Sequence, residues 1–213
     1  RFHFNFRWYW DYAGGLMTDW GVHEIDIALY GMKAKNPVSV MASGGKFGYP
    51  DQDTDTPDTL QTVFEYDDFT MLWEHANGID GGNYGRDEGI AFIGNKATLV
   101  VDRGGWEVIS EIDHRKTKKP FMDSIPKINA TENALDAHTK NFLEAMKNNS
   151  PGSLKCDLNS GSIACINSHM GNIAYKTGEK IFWDRKNQAF IDNPKANKLI
   201  KSAYNNGWKL PSA

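Results

Sequence analysis

The chain has 213 residues, enough to bury a sizeable core without a metal or disulfide staple. Its hydrophobic share of 40%, charged share of 24% and formal net charge of -3 are those of an ordinary globular chain, and they argue against nucleic acid or an anionic membrane as a partner. Two cysteines, Cys156 and Cys165, are too few for a disulfide framework and lack the paired spacing of a zinc site, so both read as packing residues; no apolar run is long enough to span a bilayer.

From Arg1 to Trp10 the apolar residues fall at even positions, an alternation that predicts a strand already under way; with no Met at position 1, the sequence reads as a piece of something longer. A turn over 11–15 leads into a helix expected over 16–30, with Gly31 at its C-cap. Strands are expected at 38–42, 60–66, 70–75, 89–93, 98–102 and 106–109, with a tight hairpin at 66–69. Residues 114–127 read as a solvated linker-like loop despite the basic Arg115, Lys116, Lys118 and Lys119. Helical spacing appears at 134–147 and 158–175, with a shorter helix at 196–204. Strands followed by helices, without alternation, predict an α+β fold: one open, mainly antiparallel sheet with helices packed on one face, in a single domain over residues 1–213.

The chemistry concentrates in the segment Gly14-Gly15-Leu16-Met17-Thr18-Asp19-Trp20-Gly21-Val22-His23-Glu24-Ile25-Asp26. At 3.6 residues per turn, Asp19, His23 and Asp26 fall within an arc of roughly 60° on one helical face. Most of the remaining circumference is apolar, which predicts a buried helix whose ionisable stripe needs partners, a cavity or a substrate. Gly21, costly inside a helix, suggests that another backbone or a ligand comes close there. A carboxylate beside His23 would raise its affinity for a proton and fix its tautomer, which suits a general base; a divalent metal on the same three residues ranks below this, since no further His or Cys lies nearby in sequence.

Gly14-Gly15, Asp19, Gly21, His23 and Asp26 resemble the Gly-Gly-Gly-x-x-x-Asp-x-Gly-x-His-x-x-Asp signature of the glucose-fructose oxidoreductase and inositol dehydrogenase (Gfo/Idh/MocA) family, with Ala13 in place of the first glycine. Tyr84-Gly85, the 98–105 segment, His138-x-x-x-Asn141-Phe142, the 168–174 segment and the ending around Trp183-Asp184 are also similar to that family's C-terminal domain. The resemblance implies that His23 takes the proton of a substrate hydroxyl while hydride leaves for a nicotinamide, that Asp19 and Asp26 orient the imidazole or bind the sugar, and that Tyr84 contacts substrate. His138 and His169 lie on later helices at positions that family also favours, and structural capping is the role read for them. The resemblance further implies a carbohydrate or polyol substrate and a homo-oligomer formed through an exposed sheet face. NAD or NADP belongs to the N-terminal Rossmann half, whose Gly-x-Gly-x-x-Gly turn has no counterpart here, so no cofactor is expected on this chain alone. Lys118-Lys119-Pro120 only echoes that half's catalytic lysine segment. A non-catalytic oligomerisation or carbohydrate-binding domain is the alternative.

Overall fold

The computed structural model of the chain describes residues 3–79, 81–201, 204 and 206–209. In chain order the elements are α1 (Gly15–Asp19), α2 (Gly21–Met32), β1 (Ser39–Gly45), β2 (Thr59–Glu65), β3 (Thr70–Ala76), β4 (Ile90–Ile93), β5 (Ala97–Asp102), β6 (Gly105–Ser110), β7 (Ile125–Asn129), α3 (Ala134–Lys147), α4 (Leu158–Thr177), β8 (Ile181–Asp184), β9 (Ala189–Phe190) and α5 (Pro194–Lys198). The α+β class holds, with antiparallel pairing throughout the named strands. The strands lie in two sheets instead of one, ordered β3-β2-β1-β8-β9 and β4-β5-β6-β7. The chain divides correspondingly into two compact units, one of Arg1–Val22, Lys35–Asn77 and Cys165–Ala213, the other of His23–Ala34 and Gly78–Ala164.

In the first unit, alternation along β2 buries Leu60, Thr62 and Phe64 on one face of the five-stranded sheet. Register places Phe64 opposite Val40, and Val40 opposite Ile181, so a buried apolar row crosses three strands. Met17 of α1 reaches this layer, with its sulfur 3.9 Å from Thr62 Oγ1. The opposite face stays open: Met41 lies across from Val63 and Val63 across from Leu72, with Leu72 60% exposed. The hairpin expected at 66–69 is present, closed by Tyr66 N–H donating to Phe69 O at 2.9 Å beneath stacked rings. Tyr66 also donates to Asn167 Oδ1 of α4 at 2.8 Å, and Asn167 in turn donates to Lys35 O at 3.0 Å.

In the second unit α2 meets the four-stranded sheet at β4. Gly31 lies against the Phe92 ring, which a Cβ at that position would meet at 2.5 Å. Gly31 is therefore inside α2, and the expected C-cap moves two residues on. Lys33 takes the left-handed conformation (φ 53°), its N–H donates to Tyr30 O and that of Ala34 to Leu29 O, closing the helix with a Schellman motif.

Three regions depart from the sequence reading. Residues His3–Trp8 form a 3₁₀ helix, not a strand; Arg1 and Phe2 of the expected strand lie outside the described residues. Strand alternation without a partner strand carries no ladder hydrogen bonds, and here Trp8 O instead accepts from Asp55 and Thr56 N–H at 2.9 and 3.2 Å. The 114–127 loop ends in β7, which pairs with β6, and its start is folded by an Ile112–Pro120 bridge. Of the helix expected over 196–204, α5 covers the start, capped by Asn193 accepting from Ala196 N–H at 2.8 Å. Residues 202 and 203 lie outside the described residues.

Candidate active site

The glycine pair sets α1 in place. Gly15 has φ +63°, and a Cβ there would lie 2.7 Å from Thr56 Cβ, so neither the conformation nor the space suits another residue. Asn172 of α4 donates to Gly14 O at 2.8 Å, and Met17 packs against Gly171 on the same helix. The expected single helix is interrupted at Trp20, which keeps right-handed helical angles (φ -80°, ψ -37°) between α1 and α2. At Gly21 the close neighbours are Leu16 O, Met17 Cε and the Trp73 ring, 3.4–3.5 Å from where a Cβ would sit. The close approach anticipated there is thus made mainly by side chains of the same unit.

Asp19 ends α1 with its carboxylate 2.7 Å from the Arg7 guanidinium, both side chains partly exposed. Arg7 was not legible as a partner, because it lies twelve residues upstream in a segment read as a strand, and its 3₁₀ conformation is what turns it.

His23 and Asp26 belong to the second unit. The expected burial of the whole helix is not observed. Ile25, Ala28 and Leu29 are buried, whereas His23, Ile27 and Tyr30, spaced as one helical stripe, are exposed, Tyr30 by 81%. Asp26 is half-buried. Burial pushes its carboxyl above the usual carboxylate range, partly offset by the charge of His23. Cys156 is the neighbour that sequence reasoning missed. It is exposed, as is Cys165, so neither is a packing residue; partial desolvation first, then the charges of Asp26 and Asp157, push its thiol up and away from nucleophilic chemistry.

Tyr84 sits in the second unit at the centre of a 3₁₀ turn, Asn83–Gly85, with φ 59° and its side chain exposed. No hydrogen bond joins it to His23 or Asp26 among the described residues. His138 is exposed within α3, whose N-terminus is capped by Asn133 accepting from Leu135 N–H at 2.9 Å. On α4, burial and then Lys176 hold His169 below the ordinary imidazole range, favouring the neutral ring.

Among the described residues no three His, Cys, Asp or Glu side chains group to hold a metal ion, and no helix is long and apolar enough to cross a membrane. A dinucleotide does not fit this chain's glycine-rich 78–85 segment, which runs into a 3₁₀ turn and then β4 and so lacks the helix N-terminus that holds a pyrophosphate. What the second unit offers is an exposed imidazole beside a carboxylate with a raised proton affinity.

Residues 1–210 match the model of the oxidoreductase family's C-terminal alpha/beta domain. Among curated proteins none matches. Among solved structures, yvaA from Bacillus subtilis aligns at 12% identity and TM-score 0.58 over 79% of this chain and 52% of its own. UDP-N-acetylglucosamine 3-dehydrogenase GnnA from Acidithiobacillus ferrooxidans aligns at 18% identity and TM-score 0.51 over 76% of this chain and 46% of its own. GenD2 from gentamicin A biosynthesis, in complex with NAD, aligns at 12% identity and TM-score 0.56 over 85% and 52%. At such identities the likeness is one of fold, and the chain spans about half the length of these structures. With the motif residues on α1 and α2 and the family model matched almost end to end, the chain belongs to the Gfo/Idh/MocA oxidoreductase family as its C-terminal alpha/beta domain.

Proposed function

We propose that this chain is the substrate-side half of an NAD(P)-dependent oxidoreductase that oxidises or reduces a hydroxyl of a sugar, glycoside or cyclitol, with NAD or NADP held by an N-terminal half. The observation that carries this reading is the exposure of His23 next to Asp26 on α2. An imidazole open to solvent can meet a substrate hydroxyl, accept its proton during oxidation and return it during reduction. Asp26 supports the charged ring and fixes its tautomer. Tyr84 is exposed in the same unit and is assigned a substrate contact. Asp19, held on Arg7, is assigned no step. The named activity of GnnA and the NAD in the GenD2 structure support a sugar substrate and a nicotinamide cofactor by family analogy.

The test joins this chain to its N-terminal half and compares wild type with His23→Ala by single-turnover hydride transfer and melting temperature. The expected rate loss is about 10² to 10⁴, the usual worth of a positioned base, at unchanged stability. An unchanged rate refutes the assignment.

A second reading, a domain kept for assembly, is favoured by the open sheet face of the first unit, where Met41, Leu72 and Phe182 are exposed. We propose that a second copy of the chain covers this face. Leu72→Glu is expected to leave the fold intact and reduce a dimeric mass in light scattering to that of a monomer; a wild type already monomeric at working concentration argues against the assembly.

A further inference from the structure

The second unit holds a carboxylate pair that the proposed chemistry does not use. Glu24 lies in the first turn of α2, one residue after His23, and its side chain lies within hydrogen-bonding reach of that of Glu88, just before β4. The position of Glu88 is fixed by its neighbour. Gly89 has φ +138°, and a Cβ there would lie 2.5 Å from Val101 O, so the chain presses directly onto β5 at this point. One oxygen of Glu88, Oε1, accepts from the Arg103 N–H at 3.3 Å. The other, Oε2, is buried and has no donor in the ordinary ionised state of its surroundings. A buried carboxylate oxygen without a donor is costly, and two carboxylates in hydrogen-bond contact cannot both remain charged without strong repulsion.

Both difficulties have one solution. We propose that Glu24 and Glu88 share a single proton, Glu24 donating it to the buried oxygen of Glu88, so that the pair clamps the first turn of α2 to the segment entering β4. The direction of proton affinity agrees: burial first, then the charge and hydrogen bond of Glu88, push Glu24 from 4.5 up to about 7, with Arg103 opposing. The groups facing Glu24 are Glu88 from the β4 side and Arg103 from the turn between β5 and β6. The nearby Arg86 is bound to Asp102 and Glu107, and Asp102 also to Lys127, which keeps those charges within their own cluster. On α2 itself the titratable residues adjacent in sequence are His23 and Asp26. The clamp seats the helix that carries His23 and does not depend on His23 acting as a base.

Because the pair holds its proton more tightly when folded than when unfolded, its contribution is fully present below pH 4.5 and is lost as the pH rises through about 7. The experiment follows side-chain carboxyl carbons of glutamate-labelled protein by NMR through a pH titration of this chain, with amide exchange of α2 measured alongside. One glutamate is expected to titrate near neutrality, and α2 protection, corrected for intrinsic exchange, to fall about tenfold or more between pH 5 and 8. Glu24→Gln, which keeps a donor but cannot titrate, is expected to remove the neutral-range titration and flatten the protection. Glu88→Gln is expected to move the Glu24 midpoint downward. All glutamates titrating in the ordinary carboxylate range would overturn the proposal, and so would a neutral-range midpoint that Glu88→Gln leaves in place. The two variants conserve size and hydrogen-bonding capacity, so loss of fold does not stand in for loss of the shared proton.

Discussion

Asp58 in the first unit and Asp26 in the second are both carboxylates withdrawn from water, and their surroundings are opposite. Asp58, only 6% exposed, accepts from the N–H groups of Phe47, Gly48 and Tyr49 at 3.0, 3.2 and 2.8 Å and from Thr59 Oγ1 at 2.8 Å. Burial alone would raise its proton affinity, but these bonds outweigh it and hold the carboxyl below the usual range. Asp26 is raised by burial and is offset only in part, by a charge on His23. A carboxylate ringed by backbone donors folds a loop; one left with a raised proton affinity beside an exposed imidazole is available for chemistry.

Asp58→Ala leaves three backbone N–H groups and a hydroxyl without their acceptor and is expected to cost about 2–3 kcal/mol, read as a shifted denaturation midpoint. The 46–58 loop should lose amide protection first. A cost under about 0.5 kcal/mol, the usual scale of a surface substitution, would mean that water replaces the carboxylate and that the contrast with Asp26 is empty. Acid tests the same bonds without mutation. Since the folded-state proton affinity is lowered, the stabilisation is present above the ordinary value of 3.8 and is lost as the pH falls below it. Loop protection is therefore expected to hold at pH 5 and to collapse in stronger acid, the reverse of the dependence expected at Glu24.

Much of this was legible in advance because its signals are local. All six expected strands correspond to β1 through β6, and 134–147 corresponds to α3, since β-branched alternation and helical spacing are properties of short windows. The motif glycines were equally readable, and Gly15 shows why: its left-handed angle and its contact with Thr56 admit no side chain. What escaped depends on partners distant in sequence. The 3₁₀ conformation of His3–Trp8 is set by the 55–56 loop, the Arg7–Asp19 pair follows from it, and β7, β8 and β9 exist only because β6, β1 and β8 respectively offer them an edge. The exposure of His23 escaped for a related reason. An almost uniformly apolar helix reads as buried, and nothing within it tells that Ile25, Ala28 and Leu29 are covered while His23, Ile27 and Tyr30 are left open.

The mildest expected effect on stability, and the sharpest test of the contrast, is Asp26→Asn. The substitution keeps shape and removes a charge whose proton affinity folding has raised. A group raised in this way stabilises the fold below its ordinary value of 3.8 and ceases to do so as the pH rises, so at pH 7 its removal should cost nothing measurable, within about 0.5 kcal/mol. In the chain joined to its N-terminal half the same change should slow hydride transfer, because an imidazolium forming at His23 loses the carboxylate that supports it. Stability lost to the same extent as in Asp58→Ala, with the rate per folded molecule unchanged, would place Asp26 with Asp58 as a structural carboxylate and leave His23 to act without it.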